Sequence, residues 1–158
     1  MDSDKKQRIN MILQTLKTLF NRDLDKLKFE IESYEFEKQI WAIDKNISNS
    51  AGNLCLHLIG NLNTYIGAEI GKTGYVRNRP LEFSLKDISK SELISKIEST
   101  IEVVNNSLDA LTEKDLEQIY PQIVFEKEMT TGFFLIHLST HLAYHLGQIN
   151  YHRRLLDF

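Results

Sequence analysis

This 158-residue sequence has little of what interrupts helices or cross-links a fold: one cysteine, two prolines and seven glycines. Cys55 has no partner for an internal disulfide, which agrees with a reducing compartment. Few prolines and glycines leave room for long helices. No stretch approaches the roughly 18 apolar residues of a membrane span, and the N-terminus lacks the apolar segment of a signal peptide. We therefore expect a soluble, cytoplasmic protein.

Strong charge of one sign is also missing. The formal net charge is −3, with 26% charged residues of both signs interspersed. This composition gives no basis for a nucleic-acid partner or for binding to a membrane. Residues 1–158 have ordinary globular usage, with no repeat or linker-like tract, so we predict a single domain.

Apolar residues recur every three or four positions in four segments, which predicts four long helices. The first covers residue 4 to about 35, the second about 50 to 70, the third about 90 to 111 and the last about 130 to 156. Asn49 or Ser50 is a suitable N-cap for the second helix. Ser89 can cap the third, with Glu92 completing a capping box. Four such helices in a compact chain indicate an all-α four-helix bundle.

The segments between these helices are less regular. A short helical piece is expected to end near Trp41, and another turn of helix is expected to begin at Thr112. Residues 71–87 contain glycines and the stretch R-N-R-P-L-E-F, and they predict an ordered loop. Long connections of this kind often carry function.

The histidines are the most informative residues. Of five in the chain, His137, His141, His145 and His152 lie in the last predicted helix, while His57 lies in the second. At about 100° per residue, the four fall within an arc of roughly 80° on one apolar face. Buried imidazoles need partners for both nitrogens, so such a row indicates either hydrogen-bonded core histidines or a metal site.

Helix geometry limits which histidines can share an ion. His137 and His145 are about 12 Å apart along the axis and cannot both reach it in an unbroken helix. The pairs His137/His141 and His141/His145 are about 6 Å apart and both remain possible. His57 is a plausible third ligand, because it lies with Asn53 and Asn61 on a polar stripe of an otherwise apolar helix.

Three histidines with open coordination positions are typical of a catalytic site that water or substrate completes. Imidazole suits zinc, nickel, iron and copper alike. Other chemistries fit less well. The chain has no Glu-x-x-His motif for a di-iron centre. No acid near Ser139 could complete a triad, and haem between facing histidines is the weaker alternative. Cys55 points away from His57, by about 200° around the helix, and is expected to pack as a small apolar residue.

Two motifs resemble the DinB-like (DinB/YfiT) superfamily of metal-binding bundles: L-C-L-H-L-I-G-N around His57, and H-L-S-T-H-L-A-Y-H-L-G-Q from His137 to Gln148. The resemblance covers essentially the whole chain. The stretch R-N-R-P-L-E-F, from Arg77 to Phe83, is similar to an uncharacterised subgroup of that superfamily.

The resemblance implies an up-down-down-up bundle with a divalent metal ion (zinc, nickel or iron) held by His57, His141 and His145. His137 then lies in the second shell or pocket, as do Asn61 and Gln148. The family further implies a homodimer and a small-molecule substrate, with a low-molecular-weight thiol as a candidate, since characterised relatives include thiol S-transferases.

We expect no acidic residue beside the three histidines, so the ion itself would activate water or a thiol by lowering its pKa. Arg77 and Arg79 are candidates for holding an anionic group; alternatively they pair with Glu82 and brace the loop. The resulting hypothesis is a metal-dependent hydrolase or thiol S-transferase. Its rival is a non-catalytic dimeric bundle whose metal is structural or adventitious.

Overall fold

The computed structural model describes the backbone of residues 2–158 and side chains from residue 11 onward. The side chains of residues 4–10, where the predicted first helix begins, lie outside the described residues. Over the described range the chain is all-helical, apart from an isolated antiparallel bridge between Ile119 and Thr130. The α-helices are α1 (Asp2–Glu32), α2 (Ala51–Leu62), α3 (Arg79–Ser84), α4 (Lys90–Asp109), α5 (Glu113–Glu117) and α6 (Thr131–Leu156).

The four longer helices, α1, α2, α4 and α6, surround the apolar core. Helix α1 packs along α4 and α6, while α2 packs against α4, α6 and the short α3. Each long helix contributes fully buried side chains, among them Phe20, Leu58, Ile97 and Phe134. Burying a side chain of this size contributes about 1.5–3 kcal/mol. The packing therefore brings the histidine-bearing helices α2 and α6 side by side.

Side-chain caps begin three of the long helices, and two of these caps, Ser50 and Ser89, are expected from the sequence. The Ser50 hydroxyl accepts from the backbone N–H of Asn53 at 3.1 Å and caps α2. Ser89 caps α4 in the same way, and Thr130 caps α6. Each cap satisfies a backbone donor that lacks a partner within the helix. The predicted starts of these helices are confirmed.

The second predicted helix differs from the expectation of a regular helix to residue 70. Its α-helical part ends at Leu62, and a π-helical turn follows at Asn63–Ala68. Here Asn63 and Thr64 donate from their side chains to the carbonyls of Ile59 and Gly60. Side chains that bond to the preceding turn compete with the backbone ladder and favour such local widening. Apolar spacing alone does not reveal it.

The expectation of a loop over residues 71–87 is wrong in part, because α3 lies within it. Pro80 occupies the first turn of α3, where a residue without an N–H and with a fixed φ is favourable. Helix α1 ends at Glu32, slightly before the predicted end. The short pieces before Trp41 and after Thr112 are present, as a 3-10 helix (Glu37–Trp41) and as α5. None of the helices in the described part of the chain is long and apolar enough to cross a membrane.

Candidate metal centre

His57 on α2 faces His141 and His145 on α6. One nitrogen from each of the three rings can be chosen so that all three atoms lie within 4.8 Å of one another. The ring centroids are 5.1 Å apart for His57 and His141, 5.2 Å for His57 and His145, and 4.6 Å for His141 and His145. The packing of α2 on α6 therefore assembles three imidazoles that are separated in sequence.

The spacing of these nitrogens suits a shared ion. His57 Nε2 and His141 Nε2 are 3.3 Å apart. In tetrahedral coordination with metal–nitrogen bonds of about 2.0–2.1 Å, two ligand nitrogens lie about 3.3–3.4 Å apart. A direct N–H···N hydrogen bond of that length would be long. A set made only of imidazoles suits zinc, nickel and iron.

Two buried polar atoms on the histidine-bearing helices have no hydrogen-bond partner among the described residues. They are His141 Nδ1 and Asn61 Oδ1. A buried polar atom without a partner costs about 1–3 kcal/mol. His141 Nδ1 lies on the side of the ring away from Nε2, so its missing partner is separate from the cluster. The fit of these residues to a metal ion is carried by the 3.3 Å between His57 Nε2 and His141 Nε2 and by the all-imidazole donor set.

The protonation of the two α6 histidines also suits metal binding. Burial, followed by the charges of His145 and His57, lowers the pKa of His141 to about 4. Burial lowers the pKa of His145 as well, although its hydrogen bond to Gln148 opposes the shift. Both rings are therefore neutral at pH 7 and offer a lone pair. His145 Nδ1 and Gln148 Oε1 are 2.7 Å apart, which leaves Nε2 of His145 directed away from that bond.

An acidic residue adjoins the histidines, contrary to expectation. Glu82 of α3 is buried, and its Oε2 is 2.9 Å from His57 Nδ1. Burial would raise the pKa of Glu82, but hydrogen bonds from His57 and Arg77 and the charge of Arg77 outweigh it and lower the pKa. Glu82 is therefore an ionised acceptor behind His57, on the side away from His141.

The two arginines of the 71–84 segment are placed differently. Arg77 donates to Glu82 through Nε at 2.6 Å and through Nη2 at 2.9 Å, so its fork is engaged by a carboxylate of the chain. Its guanidinium also lies over the Tyr65 ring. Arg79 is exposed and lies over the ring of Phe83, 5.2 Å from the centroid. Arg77 thus braces the segment, which is the alternative weighed for it.

The remaining α6 histidines stand outside the three-histidine cluster. His137 packs against the ring of Phe125 at 4.7 Å and stacks on Phe134, with its centroid 6.2 Å from that of His141. His152 is buried and bonds to Tyr34 and Ala42. Only adjacent histidines of the row therefore take part in the cluster, and the pair chosen is His141/His145.

A cavity of about 690 Å³ is lined by His145 of the cluster, but by neither His57 nor His141. Gln148 also contributes from α6, and residues 44–49 contribute from the segment before α2. Its volume is in the range of small-molecule sites. His141 and His145 are half-buried, in contrast to His57, so the cluster is more accessible from α6 than from α2.

A family model described as a protein of unknown function (DUF1572) matches residues 6–157. The chain belongs to this family. DUF1572 is of the DinB-like type, as the motifs around His57 and His141 indicate. The family description names no activity or cofactor, so the site's chemistry has to be argued from its residues.

The fold is shared with a solved structure. It is the crystal structure of a conserved protein from Enterococcus faecalis, with a TM-score of 0.72 over 90% of this chain and 95% of that one. The two sequences are 16% identical, which supports a common fold and nothing further. No curated protein matches the DUF1572 chain.

Of Arg77 and Glu82, Glu82 is the residue that the sequence predicted less well, because its pairing with Arg77 was an alternative but its contact with His57 was not expected. Both lie in R-N-R-P-L-E-F, which was singled out for its arginines. A proline followed two residues later by an acid is compatible with a first helical turn. Recognising α3 would have placed Glu82 on a helix, although its contact with His57 depends on how α3 packs on α2.

Proposed function

We propose that this DUF1572 protein is a metal-dependent enzyme whose divalent ion is held by His57, His141 and His145. The observation that carries the proposal is the convergence of three imidazole nitrogens within 4.8 Å. When bound, the ion would supply a Lewis acid that lowers the pKa of water or of a low-molecular-weight thiol. Zinc, nickel and iron all suit the donor set.

The chain's own residues supply binding and orientation. Gln148 holds the ring of His145, and Glu82 holds the ring of His57. The cavity beside His145 is large enough for a small-molecule substrate. Hydrolysis and thiol S-transfer both remain candidates, since each requires an activated nucleophile next to a substrate pocket.

We further propose that α1, α2, α4 and α6 form the up-down-down-up four-helix bundle of the DinB-like superfamily. The family match and the shared fold support this arrangement. The Arg77–Glu82 ion pair suggests why the R-N-R-P-L-E-F stretch would mark a subgroup. The two charged residues lie in one short segment, and their pairing holds that segment against α2.

A homodimer is the proposed assembly, and the cytoplasm the proposed location. Exposed apolar side chains recur along α6, which supports a protein partner on that face; they are Phe133, Ile136, Tyr144, Tyr151 and Leu155. Light scattering coupled to size exclusion tests the dimer. A mass near 18.4 kDa at micromolar concentration would argue against it.

Elemental analysis of protein purified without a histidine tag tests the metal site. We expect about one equivalent of metal per chain, in line with a single three-histidine site. His57→Ala/His141→Ala should lose it, because one imidazole cannot hold an ion tightly. His137→Ala is the matched control, since His137 lies on the same helix but outside the cluster, and it should keep the metal.

The rival function predicts a different outcome. A non-catalytic bundle with an adventitious metal would bind no zinc, nickel or iron stoichiometrically, or would bind them equally well in the double variant. Stoichiometric metal that is lost in the double variant would justify screening esters, amides and thiol–electrophile pairs. No turnover with any of these would favour a structural metal.

A further inference from the structure

Glu82 is a carboxylate in an unusual position for a short surface helix. Only 6% of its surface is exposed, and it lies between His57 of α2 and Arg77 of the preceding segment. A buried carboxylate is costly unless it is paired and hydrogen-bonded. Glu82 meets both conditions, because it accepts from Arg77 Nε and Nη2 and lies 2.9 Å from His57 Nδ1.

These contacts determine which nitrogen of His57 carries the proton. The ionised Glu82 can only accept, so its 2.9 Å contact requires a proton on His57 Nδ1. Arg77 Nη2 is 3.4 Å from the same nitrogen but makes its shorter bond to Glu82, at 2.9 Å. The Nδ1 proton is therefore directed to Glu82. In the neutral ring the lone pair then lies on Nε2, the nitrogen 3.3 Å from His141.

The backbone of α2 provides the space for this carboxylate. A Cβ at Gly60 would lie 2.0 Å from Glu82 Oε1 and 2.7 Å from its Cδ. Any side chain at position 60 would therefore displace the carboxylate. Gly60 lies one turn after His57 on α2. The candidate ligand and the glycine that leaves space for Glu82 are therefore on neighbouring turns of the same helix.

We propose that Glu82 is a positioning residue that fixes His57 in the tautomer able to bind a metal ion. Arg77 holds the carboxylate in place, and Gly60 makes room for it. The inference rests on the proposed metal site and extends it, because it makes the short helix α3 part of the centre. A carboxylate behind a ligating histidine orients the ring and increases its basicity.

A purely structural ion pair is the competing explanation. In that case Glu82 and Arg77 would simply anchor α3 to α2, and the direction of the His57 proton would be incidental. The two explanations differ in what happens when the carboxylate is moved without being removed. A structural pair predicts loss of stability, whereas a positioning role predicts loss of metal affinity and a change of tautomer.

Two variants separate these cases. Glu82→Gln keeps the shape of the side chain but has one acceptor oxygen instead of two. Arg77 is charged and should bind that oxygen. The amide N–H₂ group then faces His57 Nδ1 and donates to it. Gly60→Ala keeps the carboxylate but pushes it away, and alanine is itself favourable within a helix. Glu98→Gln is the control, since Glu98 lies on α4, is exposed and pairs with Lys28 of α1.

Zinc affinity is measured by competition with a chelating dye, together with thermal unfolding of each metal-free variant. We expect Glu82→Gln and Gly60→Ala to bind zinc about 10–100-fold more weakly than wild type, and Glu98→Gln to bind within twofold. Affinities within twofold of wild type in both site variants would overturn the inference. The clash at position 60 should lower the stability of Gly60→Ala, so zinc affinity is compared at a temperature where the unfolding curves show every metal-free variant to be folded.

Long-range ¹H–¹⁵N NMR of the metal-free protein gives an independent result. His57 should carry its proton on Nδ1 in wild type and on Nε2 in Glu82→Gln. A wild-type His57 protonated on Nε2 would contradict the inference whatever the affinities. If wild type binds no zinc, the proposed metal site is wrong. The tautomer of His57 measured by NMR then shows independently whether Glu82 orients the ring.

Discussion

At the scale of single residues, His152 shows what a histidine of α6 does when it is not in the cluster. Its Nε2 is 2.8 Å from the carbonyl oxygen of Ala42, and its Nδ1 is 2.7 Å from the hydroxyl of Tyr34. The carbonyl can only accept, so Nε2 carries the proton and Nδ1 accepts from Tyr34. Both nitrogens are satisfied by the protein, in contrast to Nδ1 of His141, which has no partner among the described residues.

His152 should therefore make stability depend on pH. Burial lowers its pKa in the folded chain, although the bond to Ala42 and the charge of Asp157 oppose the shift. The unfolded ring, with a pKa of about 6.5, binds protons first. The contribution of neutral His152 is thus present above about pH 6.5 and is lost as pH falls towards the folded pKa.

Urea unfolding of the metal-free wild type and His152→Gln at several pH values between 7.5 and 5.5 tests this. The variant should be about 1–3 kcal/mol less stable at pH 7.5, because Tyr34 and Ala42 lose well-placed partners. Its stability should also fall less as the pH drops. His141 and His145 titrate in both proteins, so the difference isolates His152. Parallel pH profiles would refute the assignment.

Residue types and spacing were enough to single out the row of histidines on α6 and His57 on α2, but not the pair of the row that converges on His57. The rise of a helix excludes His137 with His145, but it leaves two adjacent pairs open. The choice of His141/His145 came from the family resemblance, and the structure brings those two rings to His57. Glu82 was out of reach because its contact with His57 spans 25 residues and depends on how α3 packs.

At the scale of elements, the connection between α2 and α4 is tied down from α2. Asn53 donates through Nδ2 to the carbonyls of Glu82 at 2.9 Å and Leu85 at 2.8 Å. Its Oδ1 in turn accepts from Ser50 and Lys86. The polar stripe on α2 that made His57 a candidate ligand therefore also anchors the end of α3.

Asn53→Ala should loosen α3 and weaken the metal centre together. Loss of the amide leaves two carbonyls without their donor, which should cost about 1–3 kcal/mol. Since α3 carries Glu82, zinc affinity should fall as well. Urea unfolding and dye competition measure the two effects, with Asn106→Ala, at an exposed position of α4, as the control. Reduced stability with unchanged zinc affinity would show that α3 keeps Glu82 in place without this anchor.

Element starts were more predictable than element interiors. Caps such as Ser50, Ser89 and Thr130 act within one turn, so they can be read from sequence. The π-helical turn and α3 were missed because neither interrupts the apolar spacing in a recognisable way. Both lie between α2 and α4, where side-chain bonds to the backbone and contacts with α2 decide the local structure.

At the scale of the whole molecule, the centre joins two helices far apart in sequence. His57 lies on α2 and the other two histidines on α6, so an ion bound there would link the two halves of the chain. The helical class followed from composition and apolar spacing. The sequence did not predict which helices are neighbours. Amphipathic periodicity shows which face of a helix is buried, but not which helix packs against that face.

An ion that bridges α2 and α6 should stabilise the entire fold. Binding to the folded state alone adds about 2.7 kcal/mol at a free metal concentration of 100 times Kd. For a chain of this size, each kcal/mol raises Tm by about 2–4 °C. Wild type should therefore melt about 5–10 °C higher in buffered zinc than in chelator. His57→Ala/His141→Ala should show no such rise, while His137→Ala should keep it. An equal rise in the double variant would mean that zinc stabilises the chain from another site.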